Sequence, residues 1–166
     1  ICANFGGENI AACIVEPIAG STGTLVPPKG YLQKLREICD KHGILLIFDE
    51  VITGWGRTGS KFAAHEFGVT PDIMTMAKAT TNGVVPMGVV ACNDYIYDAV
   101  MDSSPMGSVE LFHGYTYSGI PVAVAAALAV QDIFEKEDIF NRAKDLAPYF
   151  RKGLVSLQDL ESVDNI

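Results

Sequence analysis

Apolar positions along this 166-residue chain follow two rhythms, and the switches between them give an order of elements. Asn9 to Val15 is rich in β-formers, after which Gly20-Ser-Thr-Gly23 and Pro27-Pro28 punctuate a loop. Tyr31, Leu32, Leu35, Ile38 and Cys39 then recur at helical spacing, with Lys34, Arg36, Glu37 and Lys41 off the stripe. This predicts an amphipathic helix from about Gly30 to Lys41, stopped by Gly43. The unbroken apolar run Ile44 to Phe48 predicts the next strand, in a buried unit. Strand, crossover helix, strand is the order of a parallel, right-handed unit, so the fold class is α/β with a mostly parallel sheet.

Further along, Lys61 to Phe67 reads as a short helix closed by Gly68, and Pro71-Asp72 introduces a strand that runs towards Lys78. Val84 to Ala91 predicts another strand, which Pro86 assigns to the sheet margin, where a missing N–H is tolerated. Ser118 is expected to cap a long helix from about Ile120 to Glu135, alanine-rich and apolar on nearly every face, hence buried. From about Lys136 the pattern becomes charged and amphipathic through Phe140, Ala143, Leu146, Ala147 and Phe150. A step from one domain (1–135) into a second (136–166) is expected there.

Composition narrows the classes. With 49% hydrophobic and 19% charged residues the chain is too apolar for disorder. A net charge of −8, with twelve dispersed Lys and Arg, argues against a nucleic-acid surface. Apolar runs such as Val122 to Val130 fall short of a membrane span, and no charged segment followed by an apolar core opens the sequence. The reading is a soluble, cytoplasmic protein. Cys2, Cys13, Cys39 and Cys92 are widely spaced without C-x-x-C, which fits reduced buried thiols and no metal site. His42, His65 and His113 lack companions at ligand spacing and are assigned to packing or surface.

Two places carry candidate chemistry. Lys78 follows a short strand-like run, Asp72-Ile-Met-Thr-Met-Ala, where a solvated amine is out of place, and Asp49-Glu50 ends the run Ile44 to Phe48 abruptly. Open α/β sheets place ligands beyond such carboxyl ends of strands. Pyridoxal phosphate chemistry uses such a pair: a lysine holds the cofactor as a Schiff base while an acid partners the pyridine nitrogen.

Ile47-Phe-Asp-Glu-Val-Ile-Thr-Gly-Trp-Gly-Arg-Thr-Gly59, Met76-Ala-Lys-Ala-Thr-Thr-Asn-Gly83 and His113-Gly-Tyr-Thr-Tyr-Ser-Gly119 resemble the class III pyridoxal-phosphate-dependent aminotransferases, in the right order over nearly the whole chain. Val15-Glu-Pro-Ile-Ala-Gly-Ser-Thr-Gly23 with Val26-Pro-Pro-Lys-Gly-Tyr31 resembles their omega-amino acid:pyruvate (β-alanine:pyruvate) branch. The resemblance implies a three-layer fold type I, with 1–135 as part of the cofactor-binding large domain and 136–166 as the start of the small domain. It implies pyridoxal 5'-phosphate, with Lys78 as anchor and proton shuttle, Asp49 at the ring nitrogen and Val51 against one ring face. Tyr115 and Thr116 match a segment that reaches the phosphate of a neighbouring subunit in a homodimer or tetramer. Glu16 matches a position near the cofactor pocket, or holds a loop.

Other branches carry an acid at the place of Ser21, where it neutralises a substrate-gripping arginine, and its absence favours a pyruvate-using enzyme. Family members are more than twice as long, so the chain is expected to be a piece, with the phosphate cup, the substrate arginine and the second stacking residue outside it. The leading expectation is transfer of an amino group from an omega-amino acid or amine such as β-alanine to pyruvate. The alternatives are a glutamate-1-semialdehyde aminomutase, which shares fold and lysine, and an inactive core fragment.

Overall fold

After a single helical turn, α1 (Cys2–Phe5), strand β1 (Ala12–Val15) pairs in parallel with β2 (Leu45–Asp49), Ala12 opposite Leu45 and Val15 opposite Phe48. This computed structural model describes residues 1–106 and 108–163. Helix α2 (Tyr31–His42) makes the crossover, and Gly43 ends it in a left-handed conformation at φ 65°. That conformation favours glycine, which explains the stop signal.

Beyond β2, helix α3 (Ala63–Phe67) leads to β3 (Ile73–Met76), parallel to β2 on its other side with Asp49 opposite Thr75. Strand β4 (Val89–Cys92) closes the order β1-β2-β3-β4 and runs antiparallel. Helices α4 (Asp94–Asp102), α5 (Pro121–Lys136) and α6 (Ile139–Val155) follow. The expected α/β unit with a mostly parallel sheet is present.

The sheet's faces differ. Leu46 and Phe48 are fully buried against Leu32 and Cys39 of α2, with Ile44, Ala64 and Val69 completing the cluster and Met74 packed on it. Side chains alternate along a strand, so Ile47, Asp49 and Thr75 belong to the opposite face. On that face Ile14 is 63% and Val90 69% exposed, so among the described residues no layer covers it.

Asp72 ties helix to sheet. Its Oδ2 accepts hydrogen bonds from Arg36 Nη1 of α2 at 2.8 Å and from the Leu46 N–H at 2.6 Å. Burial works against the charge on Asp72, but the Leu46 N–H and the Arg36 guanidinium outweigh it and hold the carboxyl below its ordinary range.

Four expectations need correction. The strand expected over 84–91 starts only at Val89, because Pro86 keeps the preceding backbone out of the ladder; β4 does lie at the sheet edge. Ser118 does not cap α5: Ile120 stands at the cap and Pro121 opens the helix, its missing N–H being one that no helix partner would take. Helix α5 buries only Ala123 and Val130, leaving Val122 and Leu128 more than 60% exposed, because α6 and the sheet edge cover just one side of it. Among the cysteines, Cys39 is buried, Cys2 and Cys13 half-buried, and Cys92 exposed on the edge strand. Helix α4 was not anticipated, since Asp94 to Asp102 carries no strong stripe in sequence.

Candidate active site

Asp49 is the last residue of β2, and the ladder to β3 extends one step further, from the Glu50 N–H to the Thr75 carbonyl at 2.9 Å. The chain then turns. Asp49 Oδ1 accepts the Val51 N–H at 3.0 Å, which fixes the carboxylate against the backbone and sets Val51, half-buried, beside it. No donor among the described residues reaches Asp49 Oδ2, which leaves an acceptor for a ligand.

Lys78 lies two residues beyond the end of β3, at the start of a one-turn 3-10 helix, Lys78–Thr80. Its backbone is left-handed, φ 44°, a conformation that costs a β-carbon-bearing residue of the order of 1–3 kcal/mol. Such strain persists only where surrounding structure fixes it, and here the fixing groups are Thr80 and Trp55. Thr80 donates from both its N–H and its hydroxyl to the Ala77 carbonyl, each at 3.0 Å, and the Trp55 indole N–H donates to that hydroxyl at 2.9 Å. Lys78, read from sequence as a desolvated amine, is instead exposed, because it lies past the end of β3 in a turn; Thr80 is buried. Asp49 thus ends β2 and Lys78 follows the end of β3, adjacent parallel strands whose axes lie about 4.8 Å apart by sheet geometry.

Between them runs a glycine-rich turn with a buried carboxylate beneath it. Glu50 is fully buried and accepts from the Thr53 hydroxyl at 2.8 Å and from the N–H groups of Ala63 and Ala64, each at 2.7 Å. Those N–H groups are unpaired donors of the first turn of α3, and a carboxylate suits that positive helix end. Gly54 has no room for a side chain, because a Cβ there would lie 2.8 Å from the Glu50 carbonyl oxygen. Gly56 and Gly59 need left-handed backbone, φ 89° and 84°, and α6 packs over them through Phe140 and Lys144.

The remaining candidates do not converge on this pair. Tyr115 and Thr116 lie in an exposed segment without helix or strand. Their bonds are local: the Tyr115 N–H donates to His113 Nδ1 at 3.0 Å, and Thr116 Oγ1 to the Gly114 carbonyl at 3.5 Å. Glu16, just past β1, accepts the Gly20 N–H at 2.9 Å and so braces the loop that carries Ser21. An apolar cleft of about 640 Å3 opens on the helix face between Met74, Met76, Val89 and Leu128, and neither Asp49 nor Lys78 lines it. Sequence reasoning left Glu50, Trp55 and Thr80 without roles. The available signals were an acid directly after the Asp49 strand end and the chain's single tryptophan inside its glycine turn.

An acid at the end of β2 and a lysine just past the end of β3 are residue types that suit a flat cofactor with a basic ring nitrogen at one end and an aldehyde at the other. The family model for aminotransferase class-III matches residues 3–166. The chain belongs to the class III aminotransferases. This class III aminotransferase chain is 56% identical, over all of its 166 residues, to an omega-aminotransferase of Caulobacter vibrioides, of which it covers 38%. It is 57% identical over 96% of its length to a beta-alanine–pyruvate aminotransferase of Pseudomonas aeruginosa, covering 36% of that protein. It therefore spans little more than a third of the relatives it matches. Among solved structures, an (S)-enantioselective omega-transaminase from Thermomicrobium roseum superposes with a TM-score of 0.89 at 43% identity, over 96% of this chain and 35% of that one. An amine transaminase from an uncultivated Pseudomonas species, solved in its PLP-bound form, gives 0.82 at 46% identity, over 89% of this chain and 33% of that one. The class III fold thus accounts for the sheet, the crossover and the order of the three motifs.

Proposed function

We propose that the full protein carrying this chain is a pyridoxal-phosphate-dependent transaminase that moves an amino group from an omega-amino acid or amine, such as β-alanine, to pyruvate. The observation that carries the reading is the placement of Asp49 and Lys78 at the ends of neighbouring parallel strands. The names and identities of the Caulobacter and Pseudomonas relatives support the substrate class.

Pyridoxal phosphate supplies, when bound, an aldehyde that captures amines and a ring that accepts electrons. Lys78 Nζ holds the cofactor and, once a substrate amine displaces it, carries a proton to and from the substrate carbon. Asp49, its carboxylate fixed by the Val51 N–H, would partner the ring nitrogen and favour its protonated form. Val51, stiff at χ1, walls one ring face. Tyr115 and Thr116 offer a hydroxyl and N–H groups to the phosphate of a second copy, so we assign a homodimer or tetramer with shared sites. Glu16 serves the cofactor side through the loop it braces. Residues 136–166 open the second domain, and the protein works in the cytoplasm. No helix among the described residues is long and apolar enough to cross a membrane.

Borohydride reduction of the full-length protein with pyridoxal phosphate, followed by peptide mapping, tests the assignment. Label confined to the peptide containing Lys78 is the expected result. Label spread over several lysines, or none, would overturn it.

A further inference from the structure

Trp55 and Thr80 form a link between the two halves of the site that neither half explains. Trp55 belongs to the glycine turn after Asp49, whereas Thr80 belongs to the turn that begins at Lys78, 25 residues away. The relay runs in one direction: the Trp55 indole N–H donates to the Thr80 hydroxyl at 2.9 Å, and that hydroxyl donates to the Ala77 carbonyl at 3.0 Å. Ala77 is the residue before the strained Lys78, so the relay ends on the peptide group whose orientation sets the lysine's φ of 44°.

Both ends of the strut are anchored. The Trp55 ring lies 4.8 Å from Phe62, beside the α3 N-terminus that Glu50 holds, and 6.3 Å from Phe134 of α5. The Trp55 backbone N–H donates to the Lys61 carbonyl at 2.7 Å, and its backbone is left-handed at φ 59°. A purely apolar role would be met by any large aromatic residue; the indole N–H at hydrogen-bond distance from a buried hydroxyl is the feature that packing leaves unused.

We propose that Trp55, through Thr80, is a positioning residue that fixes the backbone of Lys78 and with it the place of the amine relative to Asp49. This rests on the reading of Lys78 as the cofactor-holding lysine. Without the relay, the Ala77 carbonyl keeps only the Thr80 N–H, so its peptide is held less firmly, Lys78 can relax towards an unstrained backbone, and the amine shifts from its station. A shift of that kind far from the reacting atoms is costly, because effective alignment decays over about 1 Å.

The test uses the full-length holoenzyme and three substitutions. Trp55→Phe keeps the ring packing and removes the N–H, Thr80→Val removes the hydroxyl, and Thr80→Ser keeps it. One readout is the pH midpoint of the bound cofactor's absorbance change, which reports the lysine linkage; the others are kcat, KM and the Tm of the cofactor-free protein. Trp55→Phe and Thr80→Val should each move the midpoint and lower kcat by about five- to tenfold, the worth of one lost hydrogen bond, with KM little changed. The double variant should be no worse than the poorer single one, because both remove the same relay. Thr80→Ser should behave as the parent does. A lowered Tm with midpoint and kcat unmoved, or strictly multiplicative losses in the double variant, would overturn the proposal and leave the Lys78 assignment intact. Absence of borohydride label on Lys78 in the parent would overturn both.

Discussion

Asp49 and Lys78 differ in what the backbone does to each. Asp49 ends a regular strand and is held by the Val51 N–H, so its carboxylate is preset; Lys78 is exposed, and only its backbone is fixed. Replacing Asp49 by Asn keeps the shape and the hydrogen bond but removes the charge that sustains a protonated ring. In the full-length enzyme the variant should still bind cofactor, with the proton-transfer half-reaction slowed by about a thousandfold or more in single-turnover measurements; near-normal rates would contradict the role. Gly54 tests the turn beneath. Gly54→Ala forces a Cβ to 2.8 Å from the Glu50 carbonyl oxygen and should cost about 1–3 kcal/mol in denaturant unfolding, as overpacking does. Unchanged stability would show that the turn has room to shift.

Among the elements, the α2–β3 connection is electrostatic as well as apolar. Arg36 and Asp72 have side chains only 18% and 14% exposed, and Arg36 also bonds Asp40 one turn along. Because the folded-state carboxyl of Asp72 titrates below its unfolded value of about 3.9, its contribution is complete above that value. It is lost as pH falls through the lower, folded-state value. Asp72→Asn should therefore cost about 1–3 kcal/mol near neutral pH, and the gap between variant and parent should close as melts are taken towards pH 3 and below. A gap independent of pH would assign the effect to shape alone. The elements with a sharp period were the legible ones: the α2 stripe, the β2 run and the edge position of β4 all stand where their patterns put them. The bounds of α5 were legible to within a residue, whereas helix α4 and the cap of α5 were not, since Asp94 to Asp102 carries no strong stripe and the cap depends on the proline that opens the helix.

For the molecule as a whole, the bare sheet face is the dominant feature. Parallel sheets are normally covered on both sides, and here Ile14 and Val90 lie open beside Asp49's face. Tyr115 and Thr116 belong to the same question, because within one chain they bond only to their neighbours. If they serve a second copy, full-length Thr116→Ala and Lys78→Ala proteins, each impaired alone, should regain activity when mixed, dissociated and reassembled, since half the mixed sites then carry neither defect. No recovery under conditions that exchange subunits would count against sharing.

The α/β class, the parallel crossover, the family and the strand-end places of Asp49 and Lys78 were readable from residue order, because periodicity and motif order are properties of the sequence itself. Glu50's three donors, the Trp55–Thr80–Ala77 relay and the strain at Lys78 were not. Two of Glu50's donors and the Trp55–Thr80 bond join residues 13 to 25 positions apart whose meeting depends on how β2, β3 and α3 pack, and a hydrogen bond between distant turns leaves no periodic trace in a chain. Only the folded arrangement brings an acid, an indole and a threonine together around the turn that begins at Lys78.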